Sequence, residues 1–129
     1  MTGRLSGKRI FVTGAAQGIG LAIARAFVKE DAALFMVDRD GALLEREAAT
    51  IVAPDGSLGW AAADITDAGA IAAAMRQATD EIGPVNALVN NAGVNVFLTP
   101  LETSDEDWNR CFDINLKGAW NCCKAALPG

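Results

Sequence analysis

The chain encodes an α/β fold, a doubly wound parallel sheet with flanking helices. Three features of the sequence point there. Short apolar runs recur near 9–13, 33–38, 58–63 and 85–90, each the length of a buried strand. Helical patterns alternate with them near 19–30, 40–52, 67–82 and 104–126. A glycine-rich turn, Thr13-Gly14-Ala15-Ala16-Gln17-Gly18-Ile19-Gly20, joins the first run to the first helix. Alternation of this kind implies parallel strands joined by right-handed crossovers.

Each element has a local reason. Ile10-Phe11-Val12 is the first strand, and the helix after the glycine turn begins near Ile19. In that helix Ile19, Ala22, Ile23, Ala26 and Phe27 recur at three- and four-residue spacing, which predicts its buried face. The second strand ends at Val37-Asp38-Arg39, and Asp40 is placed to cap the second helix. Pro54-Asp55-Gly56 and Gly83-Pro84 are turns, and Thr66 is placed to cap the third helix. Thr103 and Ser104 before Asp105, Glu106 and Asp107 open the last helix, with a hydroxyl for free N–H groups and acids at the positive end.

The glycine turn carries the chemistry. Gly14 allows a tight bend out of the strand, Gly18 lets backbone approach a phosphate, and Gly20 brings the helix close to the sheet. The free N–H groups and positive dipole end of the helix then face an anion. The spacing here is G-x-x-x-G-x-G rather than G-x-G-x-x-G, and taken alone it is also compatible with an ordinary strand-to-helix loop. A Rossmann-like order of 3-2-1-4 places the switch point between strands one and four. The glycine turn and Asn90-Asn91-Ala92-Gly93 both lie at the carboxyl ends of those strands, so two distant segments converge on one crevice.

Composition narrows the class. At 129 residues and 51% apolar, residues 1–129 form a single domain with a core and no internal repeat. A net charge of −5 without a basic run argues against nucleic acid and anionic membranes as partners. No apolar stretch is long enough to span a bilayer, and Met1-Thr2-Gly3-Arg4-Leu5 is not a signal peptide. Cys111, Cys122 and Cys123 form no C-x-x-C pair and sit in apolar helical sequence, which reads as reduced, mostly buried thiols of a cytoplasmic protein, with no metal site. Trp60, Trp108 and Trp120 read as packing residues.

Asp38, eighteen residues after Gly20, is near the spacing at which an acid accepts hydrogen bonds from an adenosine ribose. The competing reading is a helix cap, although Asp40 is better placed for that. A carboxylate there repels a 2′-phosphate and favours NAD over NADP, while Arg39 beside it is able to meet that phosphate. Asn90 reads as structural, holding its turn through side-chain amide bonds. Asn91, Ala92 and Gly93 read as presenting backbone to the nicotinamide-side ribose, with Gly93 permitting the approach.

Five segments in order resemble the short-chain dehydrogenase/reductase family: Thr13-Gly14-x-x-x-Gly18-x-Gly20, Val37-Asp38-Arg39, Ala63-Asp64-Ile65-Thr66, Asn90-Asn91-Ala92-Gly93 and Asp113-Ile114-Asn115-Leu116-Lys117-Gly118. The resemblance covers about residues 7 to 126, nearly the whole chain but only about the first half of a typical member. It implies an NAD(P)-dependent oxidoreductase that interconverts an alcohol and a carbonyl by hydride transfer. It implies cofactor contacts at Thr13, Gly14, Gln17, Gly18, Ile19, Gly20, Asp38, Arg39, Asp64, Ile65, Asn91, Ala92 and Gly93. Asp64 and Ile65 would meet the adenine, Asp64 being readable equally as a solvated turn residue. Asn115 would hold a water of the proton relay, a supporting role.

The departures matter as much. The family's acid–base machinery is a serine and a Tyr-x-x-x-Lys motif beyond the fifth strand, and this sequence stops at Leu127-Pro128-Gly129 with no tyrosine and no histidine. Lys117 and Lys124 do not match the catalytic lysine, and Asp31 stands where the family usually has a glycine closing the first helix, in a left-handed turn that Asp can adopt at some cost. The expectation is therefore an incomplete, cofactor-binding N-terminal half of an oxidoreductase. The alternatives are a catalytically inactive dinucleotide- or ADP-binding module, or a non-functional remnant. Without a fifth strand the edge of strand four is unpaired, which predicts a homo-oligomer or aggregation. A small-molecule substrate belongs only to a longer parent, and nothing in the sequence names it.

Overall fold

A computed structural model describes residues 3–94 and 99–127; Met1, Thr2, Pro128 and Gly129, at the two ends considered above, lie outside the described residues. Four parallel strands, β1 (Arg9–Thr13), β2 (Ala33–Asp38), β3 (Leu58–Ala62) and β4 (Ala87–Val89), lie in the order β3-β2-β1-β4. Helices α1 (Gly18–Lys29), α2 (Gly41–Ala48), α3 (Ala68–Ile82), α4 (Asp105–Phe112) and α5 (Ala119–Ala126) connect and cover them. The predicted order is thus the observed one.

Both faces of the sheet are buried, as a parallel sheet requires. Phe11, Phe35 and Val37 pack with Ile71, Ala74 and Ala78 of α3 and Cys122 of α5. Ile10, Val12, Leu34 and Met36 pack on the other face with Ala24 of α1 and Leu44 of α2. Phe11 and Phe35 stack with ring centroids 5.8 Å apart.

Several local expectations change. In α1 the buried residues are Gly20 and Ala24, while Ala22 and Ala26 are exposed and Ile19 is 73% exposed. The helix is turned because Gly20 must abut the glycine turn, and Leu21, Phe27 and Val28 then complete the apolar face. Helix α2 stops at Ala48, where Thr50 and Ile51 donate to the carbonyls three residues back and tighten the last turn. The third helix is capped by Asp67, which accepts from the Ala70 N–H, not by Thr66. Trp60 packs against the core, but Trp108 and Trp120 are exposed, and of the cysteines only Cys122 is fully buried.

Other expectations hold. Asp40 caps α2 through the Leu43 N–H, and Ser104 and Asp107 form a reciprocal capping box on α4. Asp31 is left-handed with φ of 66°, and its carboxylate accepts the Gly3 N–H at 2.6 Å, which offsets part of the strain. The last predicted helix is not uniformly α-helical. Residues Asp113–Gly118, between α4 and α5, form a π-helical segment, and it carries Asn115.

Candidate dinucleotide site

A cleft of about 330 Å3 opens at the carboxyl ends of β1, β2, β3 and β4. Gly14, Gln17, Asp38, Arg39, Asp64, Ile65, Asn91, Ala92 and Gly93 line it, nine of the predicted positions from four separate segments. Val37, Ala63, Val94 and Ile114 complete its walls. Val37, Ala63 and Ile114 belong to the motif segments without having been expected as contacts, and Val94 lies outside every motif, because an apolar side chain carries no binding signal of its own.

The floor is the glycine turn. Gly14 and Gly18 have φ of 62° and 58°, left-handed values that disfavour any side chain. A Cβ on Gly18 would meet nothing within 4 Å, so open space lies beside the start of α1. A Cβ on Gly20 would lie 2.0 Å from the Gly14 carbonyl oxygen, so Gly20 is fixed by packing. Helices α2, α3 and α4 each begin with a side-chain cap, whereas α1 has none and no acid in its first turn. The N–H groups of Gly18, Ile19 and Gly20 have no partner among the described residues. They are the free donors that an anion would satisfy.

The other four expected positions are not in the cleft lining: Gly18 and Ile19 are exposed at the start of α1, and Thr13 and Gly20 are buried behind it. Thr13 is 1% exposed, and its hydroxyl accepts from the N–H groups of Asn91 and Ala92, both at 3.1 Å, and donates to the Val89 carbonyl at 3.5 Å. With both lone pairs and its proton engaged, it ties β1 to the turn after β4 and has no capacity left for a ligand.

Both asparagine side chains make structural bonds. Asn91 donates to the Gly14 carbonyl at 3.2 Å, and Asn90 donates to the Cys123 sulfur at 3.5 Å. Since the N–H groups of Asn91 and Ala92 are spent on Thr13, their carbonyl oxygens are what remain for a ligand.

Asp38 and Asp64 face the same cleft. Asp38 accepts from the Ala16 N–H and the Asp40 N–H, each at 3.0 Å, so it is not the cap of α2. Asp64 accepts from the backbone N–H and hydroxyl of Thr66 at 2.9 and 2.8 Å. Those two bonds, with Arg39 nearby as a smaller contribution, hold the Asp64 carboxyl below its ordinary pKa. Ile65 is buried and its carbonyl accepts from Asn121, a buried polar residue that pins α5 to the cleft wall at 2.9 Å. The sequence offered one faint signal for Asn121, a polar residue on an apolar helix face.

Asn115 closes the far side. Its Nδ2 donates to the Val94 carbonyl and its Oδ1 accepts from the Val94 N–H, both at 2.8 Å. A Cβ on Gly93 would lie 3.0 Å from that same Oδ1. The Asn115 amide is therefore engaged in holding the turn after β4. The wide π turn also brings Gly118 against Ile65, where a Cβ would lie 2.5 Å from the Ile65 Cδ1. Such π segments concentrate at functional sites.

Comparison with known proteins follows the same outline. The family model described as short chain dehydrogenase matches residues 8–129. The chain belongs to the short-chain dehydrogenase family. It is 40% identical over 126 residues to oxidoreductase UcpA of Escherichia coli (strain K12), covering 98% of this chain and 48% of that protein. A short-chain dehydrogenase/reductase of Brucella melitensis, described as glucose/ribitol dehydrogenase, superposes with a TM-score of 0.92 at 34% identity, over 99% of this chain and 52% of its own. The 3-ketoacyl-(acyl-carrier-protein) reductase of Brucella melitensis complexed with NADH gives a TM-score of 0.90 at 33% identity, over 96% of this chain and 50% of its own. The chain spans about half the length of the relatives it matches. No helix among the described residues is long and apolar enough to cross a membrane.

Proposed function

We propose that this chain binds the adenosine and pyrophosphate portion of NAD, and that it is the cofactor-binding half of an oxidoreductase interconverting an alcohol and a carbonyl. The observation that carries the reading is the uncapped first turn of α1, with open space beside Gly18, at the edge of a cleft lined by Asp38 and the turn after β4. The residues present fit the group. Free N–H groups of Gly18 and Ile19 satisfy phosphate oxygens. Asp38, with one lone pair left on each oxygen, accepts ribose hydroxyls. Asp64, Ile65 and Arg39 border the adenine, and the carbonyls of Asn91 and Ala92 with Gly93 border the second ribose. Bound nicotinamide supplies the hydride chemistry. Asn115 contributes by fixing Val94 and with it the turn that orients that end.

The reading favours NAD over NADP because the Asp38 carboxylate, which lines the cleft, would repel a 2′-phosphate, while Arg39, lining the same cleft, is a cation able to offset that repulsion. A second reading, binding without turnover, is favoured for the isolated chain because its 129 residues hold no tyrosine or histidine. Free thiols support a reducing, cytoplasmic setting. Self-association is supported by β4, which has no strand on its outer side among the described residues, and by exposed Trp108, Phe112, Leu116 and Trp120 at four-residue intervals. Calorimetric titration with NADH, NADPH and ADP-ribose tests the cofactor reading. The expected result is saturable binding, NADH over NADPH, with ADP-ribose close to NADH; absence of binding by folded protein refutes it.

A further inference from the structure

Asp38 holds more than a place in the cleft. Its Oδ2 accepts the Ala16 N–H and its Oδ1 accepts the Asp40 N–H, each at 3.0 Å. The residue before it, Val37, accepts the Ala15 N–H at 3.1 Å through its carbonyl. Two consecutive N–H groups of the glycine turn are thus attached to the end of β2. Ala15 and Ala16 are 0% and 1% exposed, so water is a poor substitute partner for the Ala16 N–H. Asp40 in turn caps α2. One carboxylate therefore joins the glycine turn, the end of β2 and the start of α2.

We propose that Asp38 is a positioning residue for the pyrophosphate cradle, in addition to facing the ribose. The inference rests on the dinucleotide reading above. By drawing the Ala16 N–H toward β2, Asp38 holds the turn in the form that leaves Gly18 and the first donors of α1 open. The same two bonds fix the carboxylate, so it cannot swing away from a 2′-phosphate. Ribose selectivity and phosphate affinity are then coupled through a single side chain. A residue that only recognised ribose hydroxyls would affect only ligands that have them.

The test pairs Asp38→Ala and Asp38→Asn with two ligands, ADP and 2′,3′-dideoxyadenosine diphosphate, by calorimetry. Amide exchange at Ala16 in the ligand-free protein is followed alongside by NMR. The expected result is a loss of about tenfold in affinity for the dideoxy ligand in Asp38→Ala, with faster Ala16 exchange, because a charge-assisted bond to a buried donor is gone. Asp38→Asn, whose amide has one oxygen to accept one of the two N–H groups, falls between Asp38→Ala and the unaltered protein. Unchanged dideoxy affinity in Asp38→Ala overturns the proposal, as does unchanged Ala16 exchange. If the unaltered protein binds neither ligand, the dinucleotide reading fails, and Ala16 exchange alone decides whether Asp38 holds the turn.

Discussion

Gly18 and Gly20 are two residues apart, yet the structure gives them opposite liabilities. A methyl on Gly20 would sit 2.0 Å from the Gly14 carbonyl oxygen and 2.5 Å from the Asn91 Nδ2, where ordinary contact begins at 3.4 Å. The glycine turn would have to give by roughly 1.4 Å, and backbone cannot rotate away as a side chain can. Overpacking of this severity costs about 3 kcal/mol. Losing the Asn91 to Gly14 bond adds about 1 kcal/mol, and the better helix propensity of alanine returns about 1 kcal/mol. Gly20→Ala should therefore lose about 3 kcal/mol, a fall in Tm of about 12 °C. A methyl on Gly18 meets no atom, and its cost is the left-handed φ of 58°, about 1–2 kcal/mol. It projects beside the free donors of α1, so NADH affinity should fall about tenfold or more while the fold survives. Urea unfolding and NADH calorimetry on both variants measure the two effects. If Gly18→Ala costs as much stability as Gly20→Ala and still binds NADH, the division between packing glycine and cradle glycine is wrong.

Other outcomes follow from the same geometry. Thr66→Val removes the hydroxyl bond that helps hold Asp64 below its ordinary pKa. NMR titration should show the Asp64 pKa rising toward its usual value in that variant. Because the folded pKa is the depressed one, the stability Asp64 contributes is present above the ordinary carboxylate value and lost as pH falls through the lowered one. Asn115→Ala should lower Tm by several degrees by freeing both backbone groups of Val94, and Asn115→Asp, which accepts but does not donate, should recover part of the loss. Burial pushes the Cys122 thiol up to about 11, with neighbouring Cys123 adding to it, so at pH 8 a thiol reagent should label Cys111 and Cys123 well before Cys122. Trp108→Glu should reduce the weight-average mass in sedimentation if the exposed row drives association, and a monodisperse monomer of the unaltered chain would count against self-association.

The apolar periodicity and the glycine turn suffice for the sheet order, because buried strands and crossover helices leave few alternatives. The position of the cleft was legible for the same reason. Motifs after β1, β2, β3 and β4 must meet wherever the strand ends meet. The sequence also determined the caps at Asp40 and Ser104 and the left-handed Asp31, since these are local bargains between a side chain and its own backbone.

What only the tertiary structure decided is how each polar group spends its hydrogen bonds. Thr13 and Asn91 match a binding motif, but their partners lie more than seventy residues away, and those contacts make them struts. Asn115 meets Val94 through a π turn, which no repeat of 3.6 residues announces. The outward rotation of Ile19 follows from one glycine pressed against one carbonyl. Periodicity reports which residues are able to be buried; donor and acceptor pairing across segments fixes which are, and pairing exists only once the chain has folded.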